Sequence, residues 1–84
     1  MSVTLEQVKD ALRSAAADIM MVDILEVTET TTGEQLGADS LDEVEIIMRV
    51  EDELGMDDSI PDFDYDSDDT LEQVAEKIVA LLNQ

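Results

Sequence analysis

The sequence has no cysteine and no histidine among its 84 residues. Without cysteine, the chain forms neither disulfides nor thiolate metal sites. Without histidine, it lacks the commonest general base and the commonest metal ligand. Catalytic triads and most zinc sites are therefore excluded, and we expect no resident metal.

Basic residues are scarce: four Lys and Arg stand against 23 Asp and Glu, which gives a formal net charge of −19. Such a surface repels nucleic acid and anionic membranes. It favours partners with basic docking patches, although it could also serve solubility or salt adaptation alone. Apolar residues make up 44% of the chain and recur at helical spacing, unlike those of a disordered acidic segment.

Long apolar runs are also missing. The run over residues 19–22 is far too short to span a bilayer. The N-terminus shows neither the basic leader nor the apolar core of a signal peptide. We therefore expect a soluble, cytoplasmic monomer that inserts into no membrane, with a single domain over residues 1–84.

Two capping boxes predict the starts of the first and last helices. The string Thr-Leu-Glu-Gln-Val begins at Thr4 and again at Thr70. The first helix should end near Ile19 or Met20. The predicted buried stripes are Leu5, Val8, Leu12, Ala15 and Ile19 in the first helix, and Leu71, Val74, Ala75, Ile78 and Leu82 in the last. Lys9, Asp10 and Arg13 should face the solvent.

The connection over residues 21–39 shows no clear period, and connections of this length usually carry function or hidden structure. We expect Ile24, Leu25 and Val27 to anchor its first half on the core, and the polar stretch 28–33 to form exposed coil. A second helix should span residues 40–54 and stop at Gly55, and a short one should open at Pro61. These elements predict an all-α fold: a small four-helix bundle of three main helices and one short helix, with a long loop between helices 1 and 2.

The second helix has two apolar stripes. Its core stripe is Ile46, Ile47, Val50 and Leu54. A second stripe consists of Leu41, Val44 and Met48, flanked by Glu45 and Asp52 on one edge and by Glu51 on the other. A bundle helix needs only one buried stripe. The second therefore either packs under the loop or the short helix, or forms a docking surface with an apolar centre and an acidic rim.

Ser40 stands at the start of this helix. The string Ser-Leu-Asp-Glu at 40–43 has the form of a capping box, so Ser40 is most simply an N-cap. A hydroxyl at a helix start is also exposed, and the free amides and the dipole there favour an attached phosphate.

The string Gly-Ala-Asp-Ser-Leu-Asp at 37–42 resembles the motif of the acyl carrier protein family, in which an Asp-Ser-Leu core bears a phosphopantetheine arm on the serine. The likeness continues in Leu36 before the string and in Val44, Glu45, Met48 and the acidic 51–53 after it. Ile-Pro-Asp at 60–62 then falls at the family's spacing.

The resemblance implies a helical bundle that is not an enzyme and that shuttles thioester-bound acyl groups in fatty acid or polyketide biosynthesis. A phosphopantetheinyl transferase would attach 4'-phosphopantetheine from coenzyme A to Ser40, and acyl-transfer and synthase enzymes with basic docking patches would be the other partners. The family's partner-binding positions correspond to Asp39, Leu41, Val44, Glu45, Met48, Glu51 and Asp52. The polar stretch 28–34 lacks the apolar residue usual in the family, which leaves the cargo open.

Other functions stay open beside this one. Asp62, Asp64 and Asp66 alternate as in an EF-hand loop, but Ser67 stands where glycine belongs and Gln73 where the bidentate glutamate belongs. The acid cluster could still bind divalent cations loosely. A peptidyl or D-alanyl carrier would share the arm, and an adaptor protein would lack it.

Overall fold

The computed structural model describes residues 3–55 and 68–82. These ranges contain four α-helices, α1 (Leu5–Met20), α2 (Gly33–Leu36), α3 (Ser40–Glu53) and α4 (Leu71–Leu82), and one 3₁₀ helix, Ile24–Glu26. They contain no β-strand, and a single β-bridge joins Thr32 to Thr70. The all-α prediction is confirmed. The short helix predicted from residue 60 onwards and the EF-hand candidate at 62–66 lie outside the described residues.

The capping boxes form as predicted. The Thr4 hydroxyl accepts the Gln7 amide at 3.2 Å, while the Gln7 side chain accepts the Thr4 amide at 2.9 Å. Thr70 and Gln73 repeat this exchange at 3.2 and 2.9 Å at the start of α4. Each box satisfies two backbone donors that the first helical turn leaves without a partner, so both helices begin where the sequence places them.

The core lies where α1 packs against α3 and α4. Each large apolar side chain buried there contributes about 1.5–3 kcal/mol relative to its exposed state. The predicted stripes of all three helices supply this core, with Leu5, Ile19, Leu54 and Leu82 partly buried at its margins. The largest fully buried side chains are Val8, Leu12, Val27, Ile46, Val50, Val74 and Ile78.

Two basic residues of α1 do not face the solvent as expected. Lys9 is only 8% exposed, and its ammonium lies 2.9 Å from Glu29 and 3.6 Å from Glu72. Arg13 is half-buried and donates to the carbonyl oxygens of Val27, at 2.7 Å, and Ile24, at 3.3 Å. Their aliphatic stems follow apolar surface while the charged ends reach oxygen acceptors on other segments. Asp10 is exposed, as predicted.

The connection between α1 and α3 is more ordered than its sequence suggests. Val27 is fully buried, as predicted, but Ile24 and Leu25 are 43% and 77% exposed. The prediction that Ile24 and Leu25 anchor the connection on the core is therefore wrong. Arg13 holds this segment instead, by donating to its backbone carbonyl groups. The prediction of exposed coil over residues 28–33 is also wrong at its last residue, because Gly33 is buried and begins α2. A capping box of Thr32 and Gln35, at 3.1 and 3.0 Å, starts that helix.

The threonine-rich part of this connection is bonded to the start of α4. The Leu71 amide donates to the Thr31 carbonyl at 2.9 Å, and the Glu72 amide donates to the Glu29 carbonyl at 3.1 Å. Amides in the first turn of a helix have no acceptor within the helix. The connection therefore supplies acceptors to α4, and α4 fixes the segment that leads into α2 and α3.

Candidate functional site

Asp39, and not Ser40, caps α3. The Asp39 carboxylate accepts the Asp42 amide at 2.9 Å, and the Asp42 carboxylate accepts the Asp39 amide at 3.1 Å. Ser40 is the first residue inside the helix. Aspartate and serine are about equally good caps, and the pair Asp39 and Asp42, which was not considered from the sequence, has the same spacing as the predicted pair Ser40 and Glu43. The prediction that Ser40 is the cap is wrong.

This shift of one residue leaves the Ser40 hydroxyl available. Ser40 is exposed, and its hydroxyl has no hydrogen-bond partner among the described residues. Ser14, the other serine within those residues, is half-buried along α1 and donates to Glu53 at 3.2 Å. Of these two hydroxyl groups, only that of Ser40 stands at a helix terminus open to an approaching enzyme.

The turn between α2 and α3 sets the position of Ser40. Gly37 ends α2 with a φ of +76°, a left-handed conformation that favours glycine. The amides of Gly37 and Ala38 close the turn by donating to the carbonyls of Glu34, at 3.1 Å, and Gly33, at 3.0 Å. Since the segment before α2 is bonded to α4, Ser40 stands on a supported turn and not on a free loop.

The first turn of α3 is strongly acidic, with the carboxylates of Asp39 and Asp42 at its end and Glu43 beside them. A phosphodiester on Ser40 would meet helix-terminal N–H groups, which favour an anion. It would also meet two carboxylates that already occupy part of this end. The exposed hydroxyl and the helix terminus fit a phosphate-linked group. The adjacent negative charge makes the helix dipole a smaller source of stabilisation than the sequence suggested.

The second apolar stripe of α3 is exposed. Leu41, Val44 and Met48 are 66%, 55% and 61% exposed, and Glu45 and Asp52 beside them are exposed as well. Glu51 differs: only 9% of it is exposed, because it lies one turn after the core residue Ile47. Glu51, predicted to flank this stripe, is therefore mostly buried, unlike Glu45 and Asp52 on the other edge.

Arg49, which lies beside this surface, was not predicted to be a functional residue. Its guanidinium pairs with Asp18 of α1, and this hydrogen bond raises the pKa of Arg49 above its ordinary value. An open groove of about 440 Å³ separates α1 from α3 here; it is lined by Ile19, Glu45, Met48, Arg49 and Asp52. One signal in the sequence could have drawn attention to Arg49: it is the one basic residue between Arg13 and Lys77.

Comparison of the sequence with known proteins identifies related proteins. A family model described as a phosphopantetheine attachment site matches residues 10–78. An acyl carrier protein of Clostridium perfringens is 46% identical over 70 residues, which cover 82% of this chain and 90% of the relative. An acyl carrier protein of Rubrobacter xylanophilus is 39% identical over 75 residues, covering 88% and 90%. No solved structure gives a significant match.

The chain therefore belongs to the acyl carrier protein family. It bears a covalently attached 4'-phosphopantetheine and works as a carrier, not as a catalyst. Acyl carrier proteins interact with transferase and synthase enzymes. In the ranges that the structure describes, no helix is both long and apolar enough to cross a membrane.

Proposed function

We propose that Ser40 carries the 4'-phosphopantetheine arm and that the protein delivers acyl groups to enzymes of fatty acid or polyketide biosynthesis. The observation that carries this proposal is the exposed, unbonded Ser40 hydroxyl at the first residue of α3, next to the exposed Leu41. When bound, the arm supplies a terminal thiol for thioester formation, so a chain without cysteine can carry acyl groups.

The chain's own residues have distinct tasks in this function. Asp39 holds the start of α3 in place through its bond to the Asp42 amide, so Ser40 has a fixed position while its oxygen stays accessible. The supported turn after α2 keeps that oxygen at the surface. The transferase would couple the Ser40 oxygen to the phosphate of the arm, with the hydroxyl proton lost and the nucleotide part of coenzyme A as leaving group.

We further propose that partner enzymes bind the exposed face of α3. Leu41, Val44 and Met48 form its apolar centre, and Asp39, Glu45 and Asp52 form its acidic rim. An apolar centre within a charged rim is the usual composition of a transient interface, and the rim would steer enzymes with basic patches towards Ser40. Glu51, being mostly buried, contributes less to this face than the family's positions would imply.

Arm transfer to the purified protein tests the attachment site. We expect the protein, incubated with coenzyme A and a broad-specificity phosphopantetheinyl transferase, to gain the mass of one arm. Ser40→Ala should gain none and keep its helical circular dichroism, because Ser40 is not the cap of α3. Ser14→Ala, in the other described serine, is the matched control and should be modified like the wild type. A modified Ser40→Ala, or a wild type that never gains an arm, would refute this assignment.

A further inference from the structure

Three of the four basic residues of this chain have internal partners away from the exposed face of α3. Lys9 is enclosed by Glu29, Glu72 and Glu6. Arg13 donates to the carbonyl oxygens of Val27 and Ile24, and Lys77 pairs with Asp69 beside α4. Arg49 alone lies on α3, one residue after Met48, and 43% of its side chain is exposed.

Arg49 interrupts an otherwise acidic rim. At about 100° per residue, Arg49 lies some 40° beyond Glu45 and 60° beyond Asp52 around the helix. It shares the groove between α1 and α3 with both of them and with Met48. A guanidinium carries five N–H donors in a fixed fork, and the bond to Asp18 is made through Nη1. Its exposed part can therefore meet a second carboxylate.

The distance to Ser40 places Arg49 within reach of an enzyme bound at the attachment site. Nine residues of helix separate the two positions, which at 1.5 Å per residue is about 13–14 Å. An interface of ordinary size buries roughly 800 Å² on each partner, a patch wide enough to include both. A uniformly basic patch on such an enzyme would put like charge against Arg49, which weakens association.

We propose that Arg49 is a specificity-determining residue of this surface, and that the phosphopantetheinyl transferase that loads Ser40 meets it with a carboxylate set among its basic residues. This rests on the proposed function, since it concerns the enzyme acting at Ser40. The transferase that matches this surface has a docking patch of mixed charge, with basic residues opposite Glu45 and Asp52 and an acidic residue opposite Arg49. Enzymes with an unbroken basic patch are disfavoured.

A purely structural role for Arg49 makes a different prediction. If Arg49 served only to hold α1 to α3, removing Asp18 would do the same damage as removing Arg49. If Arg49 contacts the enzyme, Asp18→Ala leaves the contact in place and releases the guanidinium for it. The variants Arg49→Glu, Arg49→Lys and Asp18→Ala therefore distinguish the two roles. Lys77→Glu is the matched control, with the same change of charge on α4.

The test measures kcat/KM for arm transfer by a broad-specificity phosphopantetheinyl transferase, with melting temperatures for every variant. We expect Arg49→Glu to lose about fivefold or more at low salt, Arg49→Lys to lose less, and Lys77→Glu and Asp18→Ala to stay within about twofold of the wild type. The loss in Arg49→Glu should shrink in about 0.5 M NaCl, because salt screens exposed charges.

Three results would overturn the proposal: Arg49→Glu that is loaded as well as the wild type or better, Asp18→Ala that loses as much as Arg49→Glu, or a loss that does not respond to salt. A wild type that gains no arm would instead refute the proposed function, and this inference with it.

Discussion

Asp39 and Ser40, adjacent at the start of α3, have different roles: one caps the helix and the other presents a free hydroxyl. Asp39 caps α3 by accepting the Asp42 amide, and Ser40, already inside the helix, keeps its hydroxyl exposed. The helix therefore does not depend on the oxygen that would bear the arm. Substitutions at the two positions should have separate effects, on stability at Asp39 and on loading at Ser40.

Removing the cap should destabilise the protein by a measurable amount. We expect Asp39→Ala to lower the free energy of unfolding by about 1 kcal/mol, because the first turn of α3 loses a side-chain acceptor. Asp39→Asn retains an acceptor oxygen and should recover most of that loss. Urea unfolding followed by circular dichroism measures the difference. If the alanine and asparagine variants were equally stable, the observed cap would not contribute to the stability of α3.

Lys9 is the residue at which α1, the connection and α4 meet. Its ammonium lies between Glu29 and Glu72. The hydrogen bond that the Lys9 ammonium donates to Glu29 raises the pKa of Lys9 above its ordinary 10.5, and the same contact lowers the pKa of Glu29 below its ordinary 4.5. Because the pKa of Lys9 is raised on folding, Lys9 contributes stability below about pH 10. Because the pKa of Glu29 is lowered on folding, Glu29 contributes stability above about pH 4.

Replacing Lys9 by methionine should therefore destabilise the fold most at neutral pH. Lys9→Met keeps the buried stem but leaves Glu29 and Glu72 facing each other without a cation. We expect a melting temperature below that of the wild type at pH 7, and a difference that narrows as the pH falls through the lowered pKa of Glu29. Lys77→Met, which removes the same charge from the surface of α4, is the control. Equal effects of the two variants at pH 7 would show that only net charge matters.

At the scale of the elements, α3 presents two different surfaces. One is the core stripe, and the other is exposed and acidic at its rim. Exposed apolar side chains at 55–66% contribute little to folding, so substitutions on this face should affect binding more than stability.

Charge reversal on α3 should weaken loading more than the same change elsewhere. We expect Glu45→Lys or Asp52→Lys to reduce kcat/KM for arm transfer several-fold, chiefly through slower association that depends on salt. Glu76→Lys, on the exposed side of α4, is the comparison and should have a small effect. Stopped-flow association at two ionic strengths measures this. Similar losses at all three positions would contradict a localised docking face.

Elements that depend on local chemistry were predictable from the sequence. Thr4 and Thr70 each have a glutamine three residues later, and this spacing alone determines both caps. The core stripes of α1, α3 and α4 follow from the 3.6-residue period. The resemblance to the acyl carrier protein family likewise came from local strings around Ser40.

Features that depend on distant contacts were not predictable. Lys9 and Arg13 looked like solvent-facing residues because nothing near them in sequence reveals Glu29, Glu72 or the carbonyls of residues 24 and 27. Ile24 and Leu25 looked like anchors because they are apolar, yet the backbone of their segment does the anchoring. For α2, the signal was present but missed: Thr32 and Gln35 form the same box as Thr4 and Gln7. At α3, the box beginning at Ser40 was predicted as the cap, whereas the one beginning at Asp39 forms.

At the scale of the whole molecule, the excess of acidic over basic residues is the main electrostatic feature. Glu34 and Asp68 show its local effect, since the hydrogen bond between them raises the pKa of Glu34 above its ordinary value. A raised carboxyl pKa means that the folded protein holds its proton more tightly than the unfolded chain, so this pair stabilises the fold at low pH and loses that contribution as the pH rises. Near pH 7, the repulsion of like charges opposes compact packing throughout the molecule.

Cations should stabilise the protein. We expect added NaCl to raise the melting temperature by several degrees at pH 7, because exposed charges are screened within about 8–10 Å at ordinary ionic strength. Millimolar Mg²⁺ or Ca²⁺ should raise it further than NaCl of equal ionic strength, since adjacent carboxylates can share one divalent ion. Changing Asp64, Asp66, Asp68 and Asp69 to Asn should reduce that extra effect and leave loading unchanged. A melting temperature indifferent to both kinds of ion would contradict the repulsion argument.

The bonds that join Thr31 and Glu29 to the first turn of α4 have a consequence for how the protein is made. They link positions far apart along the chain, so they close a long loop whose entropic cost is recovered only when both ends are present and packed. During synthesis, the turn that positions Ser40 leaves the ribosome well before the helix that supports it. The proposed attachment site would thus be complete only after α4 has emerged, and we expect a transferase that requires this geometry to modify chains that include α4 in preference to shorter nascent ones.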